Sequence, residues 1–389
     1  MTTPRPAPPV ESAEPGLSSI SQGMRWLHRG ATHRPVSYGR HQYPQVAVFL
    51  LLTVIVTRTQ VESLSAMRDV NLWLVYSLTA VGFYWVFGLA GRFAFSHTFM
   101  MALGAFTSAF VARQGVSPWL GILAALLVTA LAATLIGAAC HRASDFYFAI
   151  ATLAVSQVGA IVFVRAEGFT GPSGVVSGVP PLSSPWGDLV ADTDVFWLLV
   201  LALGLVLVLA VWIDRSPLRR RLVAARDNPM VARSAGIPVG RLQLGFFALG
   251  SSVAGASGAI IGSWTGVVSN DTFGIDLAIG IFLMVVLGGL GSHWGAVAGA
   301  AFYVGVPHLL SGVAEYEAII YSGVLLLTII LVPDGIIGAS QRAISRVTHR
   351  WRPGEGNVEG NVGGNVGGNT VEGAVEPTSD RGGDHARDC

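Results

Sequence analysis

Charge-free apolar runs recur along the chain at residues 46–57, 70–91, 93–112, 117–140, 146–164, 195–213, 242–262, 277–291, 294–314 and 318–332. A membrane-spanning helix needs roughly 20 predominantly apolar residues. Most runs reach that length; 46–57, 277–291 and 318–332 fall short. The stretch from 277 to 314 is too long for one span. It is interrupted by Gly288-Gly289-Leu290-Gly291-Ser292, so it reads as two helices around a glycine-rich turn. The pattern predicts an all-α integral membrane protein of about ten transmembrane helices, within a range of roughly 8 to 11.

Composition supports this. Of the residues, 52% are hydrophobic and 12% charged, against about 25% charged in soluble domains. All 24 basic residues are arginine. The chain therefore lacks the lysine that a P-loop or a Schiff-base enzyme requires. The placement of the arginines is more informative. With ten spans and the N-terminus inside, only Arg58, Arg68, Arg113 and Arg165 lie outside, as the enrichment of arginine in cytoplasmic loops demands. Residues 1–45 are Pro-rich and polar and read as a disordered cytoplasmic segment rather than a secretory signal. Residues 46–338 form the transmembrane domain. Residues 339–389, with Gly-Asn-Val repeats, form a cytoplasmic and largely disordered tail. The two cysteines, Cys140 and Cys389, provide neither a disulfide framework nor a metal-binding spacing.

The cytoplasmic loop at 214–241 carries local structure. Ser216-Pro217 and Asn228-Pro229 each place a capping residue before a proline at the first helical position, and Gly236 supplies a stop. Two short helices follow, at 217–227 and 229–235. Leu218, Leu222, Val223, Met230, Val231 and Ala235 are expected to form their buried face. Arg219, Arg220, Arg221, Arg226 and Arg233 remain available. Such a loop can press against a soluble motor. It can equally fix topology and touch anionic lipid.

Within the spans, polar candidates are few. Ser96 and His97 open the third run, and Thr152, Ser156 and Gln157 lie on the fifth. Gly288, Gly289 and Gly291 pack closely or mark a helix broken at mid-membrane, where backbone groups would meet a substrate. Buried acidic or His chains of the kind that couple protons are missing, which disfavours a self-contained secondary transporter. No paired carboxylates, nucleophile constellation or metal cluster points to an enzyme.

These residues resemble the membrane permeases of branched-chain amino-acid ATP-binding-cassette importers, the LivM-like group. Gly91-Arg92-Phe93-Ala94-Phe95-Ser96-His97, followed by Leu103-Gly104-Ala105-Phe106, resembles the family's GQxSLGHxxFxxxGAY stretch. Tyr147-Phe148-Ala149-Ile150-Ala151-Thr152-Leu153 resembles YLAIxTL. Thr170-Gly171-Pro172-Ser173-Gly174 with Gly178-Val179-Pro180 resembles TGGxxGIxGIP. Residues 227–237 resemble the coupling segment ENEIAAxALGI, residues 283–295 match almost residue for residue, and Pro333-Asp334-Gly335 resembles the closing RPxG. Arg92, Ser96, Gln157, Pro229 and Gly280 depart from the family pattern.

The resemblance implies a permease subunit for branched-chain amino acids or a related small polar solute, urea and short amides being carried by close relatives. It implies a second permease subunit, cytoplasmic P-loop ATPase subunits and an extracytoplasmic solute-binding protein as partners, with the lipid bilayer and no nucleic acid. This chain would bind no cofactor, ATP-Mg residing on the ATPase, and would perform no catalysis itself. The location implied is the plasma membrane of a prokaryote, with both termini cytoplasmic. The ATPase-coupling loop would comprise Arg226, Asp227, Asn228, Pro229, Met230, Ala232, Arg233 and Gly236. The candidate translocation path comprises Ser96, His97, Thr152, Gln157, Gly288, Gly289 and Gly291.

Overall fold

The structure, a computed structural model, describes residues 64–310 apart from 141–142, 144, 185–186 and 190, together with residue 323. The runs at 46–57 and 318–332, the N-terminal segment and the tail lie outside these residues, 323 excepted. The described elements are α1 (Leu64–Tyr84), continued by a π-helical turn (Trp85–Leu89), α2 (His97–Arg113), α3 (Pro118–Cys140) and α4 (Asp145–Arg165). A short helix α5 (Glu167–Thr170) leads into β1 (Val175–Ser177), β2 (Leu182–Ser184) and β3 (Gly187–Leu189). Then come α6 (Asp192–Arg215), the loop helices α7 (Pro217–Asp227) and α8 (Pro229–Ser234), and α9 (Val239–Thr265). After β4 (Val267–Ser269), a hairpin of α10 (Ile275–Gly288) and α11 (His293–Leu310) completes the set. Six helical segments among the described residues are long and apolar enough to cross a membrane.

Helix α9 is central and packs on α1, α2 and α3, while α6 and the α10–α11 hairpin pack on α1. Apolar side chains gain little by leaving lipid for a helix interface, so close backbone approach and buried hydrogen bonds hold such a bundle. The sequence supplies both. Gly104 of α2 faces Gly255 of α9, and Gly258 faces the Met101 carbonyl, so a Cβ at either contact would collide with backbone. Across α1 and α9, the buried hydroxyls of Thr79 and Ser257 are 2.6 Å apart.

The loop at 165–194 is built rather than open. Thr170 Oγ1 donates to the Phe163 carbonyl, and β1 pairs antiparallel with the distant β4, Val176 opposite Val268. A β2–β3 ladder pairs Leu182 with Leu189. These strands are short additions at one end of a helical bundle.

One span differs from the apolar pattern. The third run begins at Phe93, yet α2 begins only at His97. Between them the backbone is non-helical, and burial alternates: Arg92, Ala94 and Ser96 are buried, Phe93 and Phe95 less so. The two phenylalanines enter a ring cluster with Phe87 and Phe282, with Phe93 at 5.0 Å from Phe87 and 4.9 Å from Phe282. The Phe95 N–H donates to Thr152 Oγ1 at 3.1 Å. Thr152 is two turns into α4, about 10 Å along it. Non-helical backbone therefore runs inside the bundle, where its polar groups find side-chain partners.

Candidate functional site

The loop at 214–241 folds as its capping signals predict. The Leu218 N–H donates to Ser216 Oγ at 3.2 Å, and the Val231 N–H donates to Asn228 Oδ1 at 3.1 Å. Pro217 and Pro229 each open a helix, and Gly236 takes φ 77°. The buried face differs from the expected one. Leu222 is buried, but Met230, Val231 and Ala235 are exposed, Met230 at 75% and Val231 at 63%. The loop's own core is instead Ala225, Ala232 and Val239, with Ile237 against it. Small side chains let two very short helices approach closely, which leaves no room beneath them for Met230.

Two of the arginines expected to be available are engaged with the bundle. Arg226 Nη1 donates to the Gly88 carbonyl at 2.5 Å. Its stem lies over Gly91, where a Cβ would come within 2.6 Å of Arg226 Cγ and where φ is 70°. Glycine there allows both the turn and the approach. The π-helical turn shifts the backbone pairing so that the Gly88 carbonyl is presented at the end of α1. Nearby, Gln243 Nε2 donates to the Ala90 carbonyl at 3.2 Å.

Arg219 makes the second attachment. Its Nε lies 3.2 Å from Asp214 Oδ1, and Asp214 Oδ2 lies 2.9 Å from His293 Nδ1. The Asp214 and His293 side chains are almost wholly buried, at 1% and 0% exposure. This cluster joins the last turn of α6, the first turn of α7 and the first residue of α11. A carboxylate taken out of water demands such partners, and removal of one leaves the others uncompensated. Sequence reading did not single out Asp214, His293 or Gln243, and it left Arg219 available rather than paired. Asp214 was visible as an acid ending an apolar span, but its partner His293 lies 79 residues away.

Arg92 forms a third tie at the same end of the bundle. Its guanidinium donates to the Ala143 carbonyl and to Asp145 Oδ1, both at 3.1 Å, and lies 4.0 Å over the Phe148 ring.

The remaining candidates separate. Asp227, Arg233 and Gly236 are exposed on the loop, as are Asn228 and Pro229. Ser96, His97 and Thr152 are buried where the non-helical segment meets α2 and α4. The Ser96 and Thr98 hydroxyls have no hydrogen-bond partner among the described residues. The His97 ring stands edge-on to Phe83 at 5.0 Å. Gln157 does not join them: it is exposed on the opposite face of α4. Gly288, Gly289 and Gly291 form the α10–α11 turn. A Cβ on Gly288 would collide with the Gly295 carbonyl, so the turn permits tight antiparallel packing. It lies beside Gly88 and the Asp214–His293 pair, at the loop end of the bundle. The non-helical stretch at 91–96 is a second such connection, between α1 with its π-helical turn and α2.

Among the described residues no group of three or more His, Cys, Asp or Glu side chains is arranged to hold a metal ion.

Residues 68–333 match the family model described as "Branched-chain amino acid transport system / permease component". The chain is 25% identical over 346 residues to the high-affinity branched-chain amino acid transport system permease protein LivM of Escherichia coli K12, covering 83% of this chain and 80% of that protein. It is 25% identical over 311 residues to LivM of Salmonella typhimurium LT2, covering 74% and 73%. LivH of the same Salmonella strain, named as a permease protein of the same kind of system, is 25% identical over 293 residues, covering 70% and 94%. No solved structure matches the chain.

Proposed function

The chain belongs to the family of permease components of branched-chain amino acid transport systems, and on that premise we propose that it is the membrane permease subunit of an ATP-binding-cassette importer for branched-chain amino acids or a related small polar solute. Its partners in this reading are a second permease, two cytoplasmic P-loop ATPases and an extracytoplasmic solute-binding protein. The ATP-Mg sits on the ATPase, and this chain supplies the path and the coupling.

The observation that carries the reading is the division of labour within the loop. Helix α8 presents Met230, Val231 and Arg233 outward, while α7 is bound to the bundle by Arg226 and Arg219. An ATPase groove that takes Met230 and Val231 would move α8. The displacement then reaches the end of α1 through the Gly88 carbonyl and the start of α11 through Asp214 and His293. The first of these points precedes the non-helical segment at 91–96 in the chain, a part of the bundle without intrahelical bonds of its own. Bistable packing at such a joint turns a small local push into a change of access.

The loop side is cytoplasmic in this reading, because the arginine-rich ends meet there and arginine is retained on that side. The test is purification of the chain in mild detergent with its native partners, ATP hydrolysis and uptake being measured for the parent and for a deletion of residues 228–236. Loss of the ATPase and of uptake, with normal membrane insertion, is the expected outcome. Retained uptake in the deletion, or a chain that transports without any ATPase, would overturn the reading.

A further inference from the structure

Buried hydroxyls on the long helices fall into two groups. In mid-helix, Thr107, Thr129 and Ser257 donate to carbonyls three or four residues earlier in their own helices and need nothing further. Ser77, Ser108, Ser251 and Ser263 have no hydrogen-bond partner, but each stands alone. Among the described residues, three such side chains occur in succession at 96–98. The Ser96 and Thr98 hydroxyls and both nitrogens of His97 lack a partner, with Ser96 and Thr98 at 0% exposure and His97 at 2%. The Ala94 carbonyl approaches the His97 ring without closing a hydrogen bond of good geometry.

These three residues open α2. The first bond of its ladder runs from the Met100 N–H to the Ser96 carbonyl at 2.9 Å. The N–H groups of His97, Thr98 and Phe99 precede that bond and have no acceptor in the helix. Ser96 does not supply one. Its backbone, at φ −78° and ψ 1°, is outside the extended conformation in which serine caps, and its hydroxyl makes no capping bond. Ser216 and Asn228 are extended, and their side chains do cap α7 and α8. Depth makes the difference matter. The neighbouring Phe95 N–H is bonded to Thr152, about 10 Å into α4 from Asp145. At that depth hydrocarbon, not water, surrounds the bundle, and unpaired donors are costly.

A helix N-terminus carries partial positive charge, and its free N–H groups fit an anion. Two hydroxyls and an imidazole beside them add further donors. The walls are apolar. The His97 ring stands edge-on to Phe83 of α1 at 5.0 Å and to Phe247 of α9 at 6.3 Å.

We infer that the start of α2 is a substrate subsite: the N–H groups of its first turn, with the Ser96 and Thr98 hydroxyls and His97, receive the carboxylate of an amino acid in transit, and Phe83 and Phe247 flank its aliphatic side chain. In the structure the two rings close over these donors. Parting α2 from α1 and α9 at the non-helical segment 91–96 opens the way to them. The inference deepens the importer reading and rests on it. It also selects within that reading, because urea and short amides bring no carboxylate.

The test uses photo-leucine, a leucine analogue with a diazirine in its side chain and a free carboxylate. Labelling is done on the purified complex of permeases and ATPases with the binding protein left out, because that protein's own selectivity would mask the path's. The expected adducts lie on peptides holding Phe83, residues 96–98 or Phe247. Excess leucine should suppress them, and leucinamide, whose carboxylate is blocked, should not. Ser96→Ala combined with Thr98→Val removes two hydrogen bonds to a charged group, so labelling, and leucine uptake by the complete importer, should fall by about tenfold or more. The same double variant should melt no lower than the parent, since it removes hydroxyls that bond to nothing in the protein. Thr98→Ser, which keeps both hydroxyls, should label and transport as the parent does. Adducts elsewhere or none, equal suppression by leucinamide, or unchanged labelling in the double variant overturns the subsite. A lower melting temperature in the double variant also overturns it, by showing that the hydroxyls hold the fold. Absent labelling in a complex that keeps its ATPase and takes up solute sinks the subsite alone. Labelling as expected on a chain that transports without an ATPase sinks the importer reading alone.

Discussion

Helices α7 and α8 are neighbours in one loop, opened by the same Ser-Pro or Asn-Pro signal, and they are held in opposite ways. Helix α7 has Leu222 buried, Arg219 on a buried carboxylate and Arg226 on a backbone carbonyl of α1. Helix α8 buries only Ala232 and turns its largest apolar side chains to solvent. Anchoring and exposure are separated by a single capping residue, Asn228. A lever requires that separation: a contact head that binds without disturbing the fold, and a stem that cannot move without moving the bundle.

Substitutions along the loop should therefore grade from folding effects to purely functional ones. The largest effect is expected at the stem. Asp214→Ala strips the counter-charge from Arg219 and leaves His293 Nδ1 without its partner. It should cost about 3–5 kcal/mol, seen as a lower melting temperature of the purified complex in detergent. An unchanged melting temperature would mean that the cluster holds nothing. Arg226→Ala leaves the Gly88 carbonyl unpaired and should cost about 1–3 kcal/mol. Because the anchor to α1 is lost, uptake per ATP hydrolysed should fall more than ATPase binding does. Equal loss of both would place Arg226 at the ATPase contact instead. Asn228→Ala removes one cap and should cost about 1 kcal/mol, readable in the same melts. Met230→Asp lies at the bottom of the scale for folding, within about 0.5 kcal/mol. It should nevertheless abolish ATPase co-purification. A Met230→Asp protein that melts early would erase the distinction between stem and head.

Much of this was legible along the chain. The apolar runs located α3, α4, α6 and α9 within a few residues, because a helix in hydrocarbon must be apolar over its whole length. The caps at Ser216 and Asn228 located both loop helices, since those bonds form between residues two or three apart. The glycine turn divided α10 from α11. The alternation Arg92, Phe93, Ala94, Phe95, Ser96 was also visible, but an all-apolar background concealed a period of two. The long-range β1–β4 pairing carried no local signal. In the loop, Met230 and Val231 were expected inside because apolar residues usually are. Their exposure follows from the small Ala225–Ala232 contact that closes the loop without them.

Hydropathy, charge asymmetry and the order of motifs by themselves determined a multi-pass helical membrane protein of the permease family. These depend on transfer free energies and short-range capping, which act residue by residue. The tertiary structure alone decided which arginines are spent on the bundle and that Thr152 rather than Gln157 is the one buried against it. Each of these depends on residues far apart in the chain meeting at a set distance, as Asp214 and His293 do, and no local pattern encodes that meeting.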